Sequence, residues 1–159
     1  MGNGGMVMGD LVLTDNEVNA VMTKLAAGGV EVTALHNHLL RNQPFTMYMH
    51  VLGHGDPAKL AAALHTALAE SKTPLSAAAL PATAPPPIDI DTAAIDQALG
   101  AKGTNNGGLY QLGIPRAEPS EDGNMVLPPE MGTANATNFQ PTGGGKAAIT
   151  GDSCWSPRR

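Results

Sequence analysis

Residues 72–88 constrain the architecture more than any other stretch. They run Lys-Thr-Pro-Leu-Ser-Ala-Ala-Ala-Leu-Pro-Ala-Thr-Ala-Pro-Pro-Pro-Ile. Each proline removes a backbone donor and fixes its own φ, so neither a helix nor a central strand crosses such a run. The chain is therefore expected to divide into two pieces, residues 1–71 and 91–152. An Ala/Pro linker over 72–90 joins them, and a short unstructured tail follows at 153–159.

The apolar supply limits what those pieces can bury. A chain of 159 residues holds one domain on the usual prior, yet Leu, Ile, Val and Phe make up only 31 of the 159. That is close to the level of about 20% below which chains fail to build a core. Small, alanine-padded cores are expected. The net charge of -5, with 14% charged residues, argues against a nucleic-acid partner, which requires a clustered basic footprint, and nothing basic is clustered except Arg158-Arg159. Cys154 is the only cysteine, so an internal disulfide and a cysteine-rich zinc site are both excluded. No apolar run approaches the roughly 20 residues that span a bilayer. The opening Met-Gly-Asn-Gly-Gly-Met also lacks the basic start and apolar stretch of a secretion signal.

In the first piece, residues 6–13 read as a strand with a bulge or kink at Gly9-Asp10. Thr14-Asp15-Asn16-Glu17 is a capping box, and Val18, Val21, Met22 and Leu25 recur at helical spacing before Gly28-Gly29, so a helix is expected over 15–27. Residues 30–38 and 45–52 are rich in β-branched and aromatic residues, and they flank Asn42-Gln43-Pro44 as an antiparallel hairpin. Asp56 and Pro57 then open a helix whose stripe is Leu60, Leu64 and Leu68. The order is β-α-β-β-α. In the second piece Asp91 caps a helix over 92–99 that Gly100 ends, and strands are expected at 109–115 and 134–140 around a polar loop at 116–133, an α-β-β-β order. The fold class is α+β: a two-layer sandwich with an antiparallel sheet and helices on one face.

Four of the five histidines fall within residues 30–56. His36 and His38 are two apart on an expected strand, so their rings share a side with Cα atoms about 6–7 Å apart. Two neutral imidazoles at that spacing suit one metal ion, and His50 and His54 are available to complete a site. Parity raises an objection. Val30, Val32 and Ala34 continue into His36 and His38, so those rings extend an apolar face. In the next strand Phe45, Met47, Met49 and Val51 are apolar, which puts His50 with Thr46 and Tyr48 on the other face. Either a bulge near 35–38 swaps the parity, or the set is His36, His38 and His54, with the glycines beside His54 folding it back. Structural histidines bonded to backbone and carboxylates, and a metal-free catalytic role, stand beside the metal reading. His65 lies on the polar side of its helix.

Other features carry less. Met47 and Met49, beside the histidines, suit soft Cu(I) but read better as core. Gly143-Gly144-Gly145-Lys146 lacks the first glycine of a phosphate loop, with Ala147 where Ser or Thr is needed, so a tight turn is expected. Glu118, Glu121, Asp122 and Glu130 read as a solvated acidic loop. Residues 144–152 end in Gly-Asp as residues 2–10 do, but Ser-Cys-Trp-Ser-Pro-Arg-Arg follows in place of a capped helix.

The segments Gly9-Asp10-Leu11-Val12-Leu13, Val32-Thr33-Ala34-Leu35-His36-Asn37-His38, Met47-Tyr48-Met49-His50, Gly53-His54-Gly55-Asp56, Tyr110-Gln111-Leu112-Gly113-Ile114-Pro115-Arg116 and 138–152 together resemble the LppY/LpqO-type family of uncharacterised bacterial proteins. That resemblance implies two copies of one domain and an export or lipoprotein signal, hence a periplasmic or extracellular location. The absence of a signal here leaves a cytoplasmic one open. It also implies that the chain is a truncated piece, the end of copy one followed by the start of copy two, whose exposed sheet edges favour self-association.

The functional expectation is a histidine-based metal-binding module using His36, His38 and His54, with His50 as an added ligand or one behind the ligands, for a divalent transition metal, zinc, copper or nickel. Two alternatives remain: a metal-dependent hydrolase, for which Glu31 and Asp56 are the only nearby carboxylates, and a structural or interaction fragment with no active site.

Overall fold

A computed structural model describes residues 4–76 and 87–153. The centre of the Ala/Pro linker, 77–86, and the tail beyond Ser153 lie outside the described residues. The chain divides into two compact units, Met1–Ala79 and Leu80–Arg159.

In the first unit β1 (Gly5–Thr14), α1 (Asp15–Ala27), β2 (Glu31–His36), β3 (Thr46–Gly55) and α2 (Pro57–Leu68) follow in the expected order. The antiparallel sheet has β3 in the middle, in the order β1-β3-β2. Both helices pack on one face. Leu13, Val18, Val21, Leu25, Val30, Met49, Val51, Leu60 and Ala67 form the core there. Full burial of each larger side chain contributes about 1.5–3 kcal/mol.

Glycine lets the layers approach. A Cβ on Gly53 would lie 2.9 Å from Leu60 Cδ2 and 3.1 Å from Val7 Cγ1, and one on Gly28 would lie 2.6 Å from the Ala63 Cβ. The first admits α2 to the sheet, and the second admits α2 to α1.

Capping follows the sequence signals. The Thr14 N–H donates to Glu17 Oε2 at 2.8 Å, and the Lys72 N–H donates to Glu17 Oε1 at 2.8 Å, which ties the chain after α2 to the start of α1. Asp56 Oδ1 accepts from the Lys59 N–H at 3.0 Å at the head of α2. One expectation fails. Gly9-Asp10 forms no bulge, and β1 pairs with β3 without interruption from Gly5↔Gly55 to Thr14↔Thr46. Gly9 faces Val51 on the helix side, and Asp10 points the other way with its own partner, so nothing bends the strand.

The second unit contains α3 (Thr92–Leu99), β4 (Thr104–Asn106), β5 (Leu109–Pro115), β6 (Ser120–Asp122), β7 (Met125–Leu127), a short 3-10 turn (Pro129–Met131), β8 (Ala134–Gly143) and β9 (Lys146–Asp152). Its main sheet is antiparallel in the order β4-β5-β8-β9. The core is thin: Ile90, Tyr110 and Leu112 are buried, with Ile88, Ile95, Ala101, Phe139 and Ala147 against them. Asp91 caps α3 through the Ala94 N–H, and Gly100 ends it at φ 67°. The 116–133 stretch, expected as a loop, contains the β6-β7 hairpin. Gly143, Gly144 and Gly145, at φ 91°, 62° and 70°, make the tight turn into β9. No helix among the described residues is long and apolar enough to cross a membrane.

Candidate metal centre

The site lies on the face of the first sheet opposite the helices. β3 alternates as its sequence requires: Met49 and Val51 are buried on the helix side, so Tyr48, His50, Leu52 and His54 point the other way. On β1 the same alternation turns Met6, Met8, Asp10 and Val12 to that outer face, each opposite a β3 partner: His54, Leu52, His50 and Tyr48.

β2 brings the remaining ligands by changing parity partway along. Val32 pairs with Val51, but the next pair is Ala34 with His50, so Thr33 is an extra residue. This bulge reverses the alternation. Val30 and Val32 stay on the helix side, while His36, across from Tyr48, joins the face of His50. The bulge, at Thr33, is two residues before the 35–38 region where parity alone asked for one.

The three rings meet closely. His36 Nε2 lies 2.6 Å from His50 Nε2, and those rings stack at 4.8 Å between centroids. His38, just past the end of β2, lies 4.9 Å from the His36 ring. It is held flat against Tyr48 at 3.7 Å with an interplanar angle of 2°. One ligand nitrogen from each of His36, His38 and His50 falls within 4.8 Å of the others. A tetrahedral ion with Zn–N bonds of 2.0–2.1 Å needs those nitrogens about 3.3 Å apart. Binding an ion therefore requires the close pair to open and His38 to draw in.

Asp10 completes the arrangement. Its Oδ1 lies 2.5 Å from His50 Nδ1. With Nδ1–H donated to Asp10, a neutral His50 presents its Nε2 lone pair to the space shared with His36. A carboxylate that orients a ligating imidazole in this way fixes the tautomer and raises the ring's basicity as a ligand. Asp10 and Tyr48 are the two members that sequence reasoning missed. The signal for Asp10 is a lone carboxylate in the otherwise apolar run Met6–Leu13, which in sequence looks the same as a break in the strand.

His54 is on the same face but four residues along β3 from His50, about 13 Å at strand rise, so it does not share an ion with the other three. His65 is exposed on α2. Met47 and Met49 pack with the core, away from the histidines. Asp56 is occupied in capping α2, and Glu31 is across from Leu52, one row from His50.

A family model described as Domain of Unknown Function (DUF1259) matches residues 1–70 and 93–156, so the three histidines and Asp10 all fall within its first matched segment. No curated protein and no solved structure matches the chain.

Proposed function

The chain belongs to the family described as Domain of Unknown Function (DUF1259), and from that premise we propose that its first unit is a histidine-based metal-binding module. His36, His38 and His50 are the ligands, and Asp10 orients His50. The observation that carries the reading is the convergence of three imidazole nitrogens within 4.8 Å beside a carboxylate already bonded to one of the rings. Three nitrogen donors with a fourth position toward solvent suit a borderline transition metal, zinc, copper or nickel.

A hydrolase would need a base beside the open position. Asp10 is committed to His50, Asp56 to its helix, and Glu31 is a row away, so binding is the better reading. Export, implied by the LppY/LpqO-type resemblance, belongs to the same proposal, and fractionation of the producing cells tests it.

The deciding experiment is elemental analysis of tag-free protein before and after chelation, with thermal unfolding followed in parallel. About one equivalent of metal whose removal lowers Tm supports the module, because a ligand bound only by the folded state stabilises it. Metal-free protein indifferent to added zinc, copper or nickel overturns it and leaves the histidines structural.

A further inference from the structure

The outer face of the first sheet carries a second group of coordinating side chains, chemically unlike the first. Met6 pairs directly with His54, and Met8, two residues along β1, pairs with Leu52. Strand alternation places Met6, Met8 and His54 on one face. Met8 is 36% exposed, and His54 is exposed as well. Thioethers normally fill cores, as Met49 does here at 0% exposure. Met8 instead stands toward solvent and Met6 is half-buried, both on the face that carries an imidazole.

Distances by register are suitable. Cross-strand neighbours on one face have Cβ atoms about 4.5–5.5 Å apart, and diagonal neighbours about 7–8 Å. Flexible methionine side chains bridge both spans, so two sulfurs and one ring nitrogen can converge. Two carboxylates border the group by register: Asp10, two residues from Met8 on β1, and Glu31, across from Leu52 on β2.

We infer that Met6, Met8 and His54 form a separate Cu(I) site. Soft thioether donors select a soft monovalent ion over zinc or nickel, and a trigonal set of two sulfurs and one nitrogen suits d10 copper. His54 is about 13 Å from His50 along β3, whereas Met8 is a diagonal neighbour of His50, so the two sites are told apart by donor chemistry, thioether against imidazole. The inference does not depend on the histidine cluster holding a metal.

The test is anaerobic titration with Cu(I) against a chromogenic chelator, using wild type, a Met6→Leu/Met8→Leu variant, His54→Ala, and a His36→Ala/His38→Ala variant. Met→Leu conserves volume, so folding is retained and is checked by circular dichroism. The expected result is loss of one Cu(I) equivalent, or at least tenfold weaker binding, in both Met6→Leu/Met8→Leu and His54→Ala. The His36→Ala/His38→Ala variant is expected to keep one Cu(I) with sulfur neighbours in its copper X-ray absorption spectrum. Wild-type competition by Met6→Leu/Met8→Leu, or a spectrum with only nitrogen and oxygen neighbours, overturns the inference. Failure of the histidine module shows separately, as absence of bound zinc or nickel in wild type.

Discussion

Asp10 and His50 face one another across β1 and β3, with the carboxylate 2.5 Å from the ring's Nδ1. For a neutral His50 the nitrogen bonded to the acceptor Asp10 carries the proton, and the other points at His36. A residue that reads in sequence as an interruption of an apolar strand is thus the anchor of the site.

Replacing Asp10 with Asn removes the anionic acceptor while keeping the shape. Metal affinity is expected to fall about 10–100-fold, as is usual when such an orienting partner is lost. Competition against a chromophoric chelator measures it, and unchanged affinity would reduce Asp10 to a surface ion pair.

His36→Ala, His38→Ala and His50→Ala are each expected to abolish the rise in Tm on adding metal. His54→Ala is expected to retain it. At free metal of 100 times Kd the stabilisation lost is about 2.7 kcal/mol. Scanning calorimetry with and without zinc distinguishes the two sets.

The bulge yields a less obvious expectation. With Thr33 deleted, Val32↔Val51 is followed by Ala34↔His50 as a regular ladder, and His36 remains across from Tyr48. Metal binding is therefore expected to survive the deletion. A second residue inserted between Ala34 and His36 is expected to destroy it, because the ring turns to the helix side. Zinc titration of the two variants is the check.

Glu17 gives the first unit a pH dependence. The Thr14 N–H, then the Lys72 N–H, hold its carboxyl below the usual glutamate range. A depressed folded pKa contributes stability that is present above the unfolded value and lost as pH falls through the folded one. Glu17→Gln, which keeps the capping-box shape and removes the charge at the helix N-terminus, is expected to cost about 0.3–1 kcal/mol near neutral pH. That difference should shrink toward zero in acid, as seen by urea unfolding at both pH values.

In the second unit the Tyr110 hydroxyl donates to Asp96 Oδ1 at 2.5 Å, and the Gly103 N–H reaches both groups. The bond to Asp96 raises the Tyr110 phenol above its ordinary range, and the same bond lowers Asp96. Tyr110→Phe is expected to lower the Tm of this unit above the usual aspartate pKa. The effect should fade as acid protonates Asp96, whose stabilising contribution is lost in that direction. An equal Tm deficit at all pH values would assign the loss to packing alone.

Much of this fold was legible because local chemistry agreed with tertiary structure. Thr14 with Glu17, Asp56 with Pro57, and Asp91 with Gly100 mark helix ends by satisfying backbone groups that any helix leaves open. The parity of Met47, Met49 and Val51 gave the correct facing of His50. The bulge was legible only as a contradiction between two strands, since nothing about Thr33 itself marks it. Asp10 and Tyr48 acquire their roles from strands that lie far apart in sequence, and only the register brings them together. The β6-β7 hairpin escaped notice because its strands are three residues each, too short to show a period.

The helix-side core of the first unit contains none of His36, His38, His50 or Asp10. Stability and ligation are thus vested in opposite faces of one sheet. In a lineage carrying this domain, selection on folding bears on one face and leaves the other open to drift. Donors there can be exchanged, and metal preference changed, by single substitutions that leave the core intact.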